Sequence, residues 1–164
     1  MLLLTGCIPI AVPIPSGPRT TEPPPIAALE ADLHERINVY RSSRNLPALH
    51  LDPFLSSLAR GHSERMASRQ RSFGHAGIEE RVEAARDSLG VGIFSENVAR
   101  NNYSPDRVVD SAVSGWVSSS GHLQNLTGDY DLTGVGIARA SDGTYFITQI
   151  YASGMVSDHH PDRT

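Results

Sequence analysis

The side chains in this sequence of 164 residues best suited to forming a chemical site are three histidines and one glutamate in apolar or small-residue settings. His62 belongs to the series Leu55, Leu58, Ala59, His62 and Met66, which a helix turning about 100° per residue gathers onto one face. Its ring is therefore directed inward, either as a hydrogen-bonded core residue or as a ligand. Glu64 lies about 200° around the same helix and points to solvent, so His62 and Glu64 are not a local acid–base pair. Glu96 is flanked by Ile93, Phe94, Val98 and Ala99. A carboxylate there needs a partner, for which Asn97 is a candidate, unless it swings to water at a strand end. His122 follows Ser118-Ser119-Ser120-Gly121 and is expected in a loop, where functional residues concentrate. The run of serines raises serine-hydrolase chemistry, but the chain has no G-x-S-x-G elbow, and this reading uses no Ser nucleophile. His75, in Phe73-Gly74-His75, sits in a second loop and could line the same cleft. His159 and His160, in the polar tail, read as solvated.

Cys7 offers a different chemistry. It is the only cysteine, which excludes an intramolecular disulfide. Leu4-Thr5-Gly6-Cys7 resembles the lipobox of bacterial lipoproteins, in which a peptidase cuts before the cysteine and the thiol is acylated. Residues 1–7 are thus expected to be a shortened lipoprotein-type signal, with an apolar stretch of only Met1–Leu4 and no basic segment. Residues 8–25 hold Pro9, Pro13, Pro15, Pro18, Pro23, Pro24 and Pro25 out of eleven prolines. Such a stretch forms neither a helix nor a central strand and predicts an extended, semi-rigid spacer between anchor and domain.

Positioning these side chains requires a folded domain over residues 26–153, followed by a polar tail over 154–164. The apolar spacing of Ile26, Leu29, Leu33, Ile37 and Tyr40 predicts a helix from Ile26 to Arg44, with Asn45 as a left-handed cap. Asp52 and Pro53 predict the start of the second helix, and Ile78 to Leu89 a third. Ser104-Pro105 opens a fourth, running to about Ser119, with Val109, Ala112, Val113 and Trp116 on its apolar stripe. Leu132–Ala140 and Thr144–Ala152 read as strands joined by a turn at Ser141-Asp142-Gly143, with a further short strand around Ser95–Ala99. The last long strand is apolar on both faces and needs cover on both sides. The expected fold class is α+β, a three-layer α-β-α sandwich with a small, mainly antiparallel sheet between helices.

Several segments, in order, resemble the bacterial branch of the CAP superfamily (cysteine-rich secretory proteins, antigen 5, pathogenesis-related 1), whose domain is also called SCP. Asn38, Arg41, Leu46, Pro47 and Leu49 resemble its N-x-x-R-x-x-x-G-L-x-x-L run, with Asn45 in place of Gly. Ala59, His62, Ser63 and Met66 resemble A-x-x-H-S-x-x-M, and Ser95-Glu96-Asn97-Val98-Ala99 resembles G-E-N-I-A. Trp116, Ser120-Gly121-His122 and Asn125-Leu126 resemble W…S-x-G-H-x-x-N-I-L. Gly134-Val135-Gly136 and Thr148-Gln149-Ile150-Tyr151 resemble the closing strands. The resemblance implies an α-β-α sandwich whose central cleft gathers His62, Glu96 and His122. It also implies zinc or another divalent cation as a cofactor, because two imidazole nitrogens and one carboxylate oxygen suit an open zinc site. A second Glu found in some relatives has no counterpart in Val117–Ser120.

A net charge of −4 gives no basic footprint for nucleic acid. The expected protein is an extracytoplasmic, lipid-anchored component of the bacterial cell envelope, held to the membrane by acylated Cys7. In it the His/Glu cleft serves as a module that binds a lipid, glycan or envelope protein. The alternatives are a metal-dependent hydrolase of envelope peptides or glycans, in which the ion activates water, and a structural surface protein.

Overall fold

Polar punctuation sets the elements. The computed structural model describes residues 24–154; Cys7, nearly all of the proline-rich stretch, His159 and His160 lie outside them. Helix α1 (Ile26–Ser43) stops where Asn45 turns left-handed at φ 58°, as its small polar side chain permits. Strand β1 (His50–Leu51) precedes α2 (Pro53–Ala67), whose first turn is capped by Asp52 accepting the Leu55 amide at 2.8 Å. Helix α3 (Ile78–Leu89) is bounded by the left-handed glycines Gly77 and Gly90. There follow β2 (Val91–Asn101), α4 (Pro105–Val117), α5 (Ser120–Thr127), β3 (Leu132–Arg139) and β4 (Tyr145–Gly154).

The four strands order as β1-β3-β4-β2; β1 runs parallel to β3, and the other two pairings are antiparallel. Central β4 is covered on both faces, as its apolar run requires. On one side, α1, α4 and α5 bury Leu33, Ile37, Trp116 and Leu126 against Val135, Ile137, Ile147 and Tyr151. On the other, α2 and α3 bury Leu55, Ala59 and Ala85 against Val91, Ile150 and Ala152. The protein is an α-β-α sandwich.

Three features differ from the sequence reading. Strand β1 is too short to carry a period. Strand β2 extends well beyond Ser95–Ala99. The segment holding His122 is not a loop but helix α5, eight residues long with Leu126 its single buried residue.

The sheet's outer edges are closed by side chains. Along β3, Ser56 Oγ accepts the Val135 amide at 3.3 Å and Glu30 Oε1 accepts the Ile137 amide at 3.0 Å. Along β2, Asn125 Nδ2 donates to Glu96 O at 3.2 Å and Trp116 Nε1 donates to Val98 O at 3.2 Å. The buried Arg41 guanidinium ties α1 to the far end of α5, donating to the carbonyls of Leu126 and Gly128 at 3.0 and 2.9 Å. Asn38 locks the chain before β1 by exchanging hydrogen bonds with both backbone groups of Leu49.

Helix α2 lies directly on β3. A Cβ at Gly134 would stand 2.2 Å from the Leu55 carbonyl carbon, and one at Gly136 2.0 Å from the Arg60 nitrogen. Ser63 fixes the same contact, donating to Gly136 O at 2.9 Å with Thr148 Oγ1 at 2.8 Å. Neither clash is with a flexible side-chain tip, so relief requires α2 to move. Gly136→Ala should therefore destabilise the domain by about 3 kcal/mol or more, at the upper end of overpacking costs. Urea unfolding of the purified variant would measure it, and an unchanged midpoint would show that α2 yields freely.

Candidate functional site

Glu96 is the centre of the polar cluster. It lies on β2 opposite Ile150, on the face covered by α2 and α3, and is 3% exposed. Arg81, on α3, meets it in a two-pronged pair: Nε to Oε2 at 2.7 Å and Nη2 to Oε1 at 2.8 Å. The remaining Arg81 nitrogen donates to the carbonyls of Ala76 and Gly77 at 3.1 and 3.0 Å, which fixes the start of α3. His75 Nδ1 also lies 2.9 Å from Glu96 Oε1. The partner that Glu96 requires is thus Arg81 together with His75. Asn97 points to the other face, donating to His122 O and Tyr151 Oη.

His62 is fully buried on α2, as its helical phase predicts, and Glu64 is exposed. The His62 Nε2 atom donates to Gly74 O at 2.7 Å and stands 4.0 Å from Glu96 Oε1. Among the described residues its Nδ1 atom has no hydrogen-bond partner. Burial holds this imidazole below the ordinary histidine range. The His62–Gly74 bond also positions the turn that delivers His75.

His122 arrives from the opposite side of the sheet. It lies in the first turn of α5, and its Nδ1 is 2.9 Å from Ser119 Oγ. Asn125, one turn later, donates to Asn97 Oδ1 at 2.9 Å and to Glu96 O, which docks α5 on the edge of β2. Burial lowers the His122 pKa, and the neighbouring His75 adds to the shift. His62, Glu96 and His75 form one connected group on one face of the sheet, and His122 is tied to β2 from the other side through its carbonyl, which accepts from Asn97 Nδ2.

These side chains do not fit a zinc ion as they stand. Both Glu96 oxygens are held by a guanidinium, and His62 Nε2 is spent on Gly74 O. A cation at the carboxylate would have to displace Arg81 or share the site with its charge. Among the described residues, no three His, Cys, Asp or Glu side chains form a group able to hold a metal. The arrangement does orient His75: with Nδ1 on a buried carboxylate, its tautomer is fixed and the other ring nitrogen is turned outward on a side chain that is 48% exposed. Such a nitrogen accepts or transfers a proton, or hydrogen-bonds a ligand.

Residues 34–151 match the cysteine-rich secretory protein family, CAP. The chain belongs to that family. Its CAP domain is 25% identical over 132 residues to the protein YkwD of Bacillus subtilis strain 168, covering 79% of this chain and 49% of that protein. The chain thus spans about half the length of that relative. An extracellular protein containing an SCP domain from Bacillus anthracis is 27% identical with a TM-score of 0.63, over 77% of this chain and 41% of that one. An outer surface protein of Borrelia burgdorferi shares the fold, with a TM-score of 0.66 at 16% identity, over 81% of this chain and 98% of that one. The last two are an extracellular and an outer surface protein. No helix among the described residues is long and apolar enough to cross a membrane.

In this CAP domain, sequence reasoning missed Arg81 and matched Asn125 to a motif without giving it a role. Arg81 did leave a signal: it falls with Ile78, Ala85 and Leu89 on the inward stripe of α3, and an inward arginine demands a buried anion. Arg81→Ala would leave Glu96 buried without its guanidinium. The expected loss is about 3–5 kcal/mol, whereas Arg81→Met with Glu96→Gln should lose much less. Thermal or urea unfolding of the two variants compares them, and equal losses would contradict the pairing. Zinc at millimolar concentration should leave the melting temperature of the metal-free protein unchanged. A rise of several degrees, lost in His62→Ala, would show that Arg81 releases Glu96 to a metal.

Proposed function

We propose that this protein is a lipid-anchored CAP protein of the bacterial cell envelope that binds an envelope ligand through the His75–Glu96–His122 cleft. The observation that carries this reading is the bidentate Arg81–Glu96 pair. It commits the carboxylate to holding the site in shape, so Glu96 is poorly placed to be a metal ligand or a nucleophile. What it leaves facing outward is the polar edge of an oriented imidazole, beside His122 and the amide groups of α5. That is a recognition surface with fixed donors and acceptors, and it favours binding over metal-assisted hydrolysis.

The extracellular and surface character of the similar proteins supports an extracytoplasmic location. The sequence around Cys7, followed by the proline-rich stretch, supports acylation and a spacer that lifts the domain from the bilayer. The ligand class is a lipid, a glycan or an envelope protein.

One experiment tests both halves. Cys7→Ala should move the protein from the membrane fraction to the soluble fraction of cells. The released protein is then titrated onto isolated peptidoglycan sacculi, onto vesicles of phosphatidylethanolamine and phosphatidylglycerol, and onto protease-treated and untreated envelope preparations. Binding to one of these, weakened at least tenfold by His75→Ala in a variant with unchanged melting, is the expected result. Unchanged membrane fractionation of Cys7→Ala overturns the anchor. Absence of binding to all of them, or binding indifferent to His75→Ala, overturns the cleft.

A further inference from the structure

The Ser119–His122 contact reaches beyond binding. Ser119 is the residue at which α4 has ended and α5 begins: its backbone is extended, at φ −109° and ψ 119°, and it occupies the N-cap of α5. Serine at an N-cap ordinarily turns its hydroxyl onto the amides of the first turn. Here the side chain makes no such bond. The hydroxyl lies instead 2.9 Å from Nδ1 of His122. The carbonyl of Ser119 still accepts the Leu123 amide at 2.8 Å, so the helix begins normally while its cap hydroxyl is diverted to an imidazole.

Two consequences follow for chemistry. The amides of Ser120 and Gly121 open α5 with no carbonyl a turn earlier inside the helix, and neither has a hydrogen-bond partner among the described residues. They directly follow Ser119, on a helix end whose dipole favours negative charge. A Cβ built at Gly121 meets nothing within 4 Å, so this backbone is open to approach. The hydroxyl and the imidazole also face a hollow of about 260 Å³, lined by Ala99, Arg100, Ala112 and Trp116 among others. That is smaller than the roughly 300–1,000 Å³ of sites for drug-sized ligands. Its apolar wall suits a short acyl chain.

We infer that Ser119 and His122 form a nucleophile–base pair that cleaves carboxylic esters of short acyl groups. The hydroxyl oxygen of Ser119 attacks the ester carbonyl carbon while its proton passes to Nδ1 of His122. The resulting oxyanion is met by the Ser120 and Gly121 amides. The bond from carbon to the alcohol oxygen then breaks, and His122 returns the proton to the departing alcohol. Water adds to the acyl-serine with His122 taking its proton, the serine–acyl bond breaks, and Ser119 regains the proton. Ester and water become acid and alcohol, with no further reactant. A nucleophile immediately before a helix, with following amides as oxyanion donors, is the one feature shared with a nucleophile elbow; here a helix precedes the serine and its backbone is unstrained.

This inference adds chemistry to the cleft and does not depend on the envelope-binding reading, since ester cleavage is measured in solution without any envelope ligand. The test treats the full-length protein with a fluorophosphonate probe and maps the adduct by mass spectrometry, alongside hydrolysis of p-nitrophenyl acetate, butyrate and octanoate. The expected adduct is on Ser119. It is lost in Ser119→Ala, slowed at least tenfold in His122→Gln, and unchanged in Ser118→Ala, whose hydroxyl is spent on Ser114 O. Acetate and butyrate should be cleaved in preference to octanoate. If His122→Gln fails to fold, Ser119→Cys and Ser118→Cys are compared in a Cys7→Ala background; the cysteine at 119 should react with iodoacetamide at least tenfold faster at pH 7. An adduct spread over Ser118 and Ser120, no adduct at all, or equal reactivity of the two cysteines overturns the proposal.

Discussion

The contact on which the rest depends is the seating of α2 on two glycines of β3. At Gly134 and Gly136 the helix backbone occupies the space that side chains would fill. No pair of larger residues allows the approach, and no flexible atom takes up the strain. The polar bonds around the contact exist because of it. Ser63 reaches the Gly136 carbonyl, Ser56 and Glu30 reach the outward amides of β3, and Arg60 closes on Glu30 with Nη2 at 2.6 Å from Oε2. Each is a short side chain or an ion pair that serves only at this spacing. The seating also fixes the depth of the next turn of α2, which carries His62. That ring meets the Gly74 carbonyl, and the turn so held delivers His75. A packing constraint between a helix and a strand is in this way converted into the position of an imidazole two elements away.

The second determinant is electrostatic. A buried Arg–Glu pair rarely adds much net stability compared with well-packed apolar residues, because both ions lose their water. What Arg81–Glu96 adds is uniqueness. Five donor–acceptor contacts converge there from α3, the turn before it and β2, and shifting α3 by one turn would break both bonds between the guanidinium and Glu96. The pair also decides the chemistry of its surroundings. A carboxylate gripped on both oxygens by guanidinium is a poor metal ligand, yet it still orients His75 from one of those oxygens. The polar centre of the domain is therefore structural, and the half-exposed ring of His75 stands at its rim.

The degree to which this was legible in the sequence follows from how local each cause is. Asp52-Pro53, Ser104-Pro105 and Asn45 act through their own backbone and immediate neighbours, so three helix starts and stops could be read directly. The inward phase of His62 was legible because it needs only the helical period. The Gly134-Val135-Gly136 segment was visible as a motif, but its reason, a helix backbone pressed against it, is tertiary. Arg81 was overlooked because an arginine within a helix is ordinarily solvated; only its phase with Ala85 marks it. Helix α5 escaped because it is eight residues long, buries only Leu126 and begins with Ser-Gly, which reads as a turn. Its helicity is supplied from outside, by Arg41 on its last carbonyls and Asn125 on β2. Propensity has little to say about a helix held in this way.

That external support explains why the rim of the site sits where it does. Strand β2 is an edge strand, and an uncovered edge is a template for unwanted pairing. The groups that cover it, Asn125 on Glu96 O and Trp116 on Val98 O, belong to the two helices on either side of Ser119. Covering the edge therefore requires α4 to end and α5 to begin against β2, and a helix beginning there leaves open amides beside His122. From the other face, the loop after α2 brings His75 to the same edge. The protection of the edge strand and the assembly of the site are one arrangement. Substitutions that loosen α5 from β2 should therefore disturb the site before they disturb the core, since α5 contributes only Leu126 to the main apolar cluster.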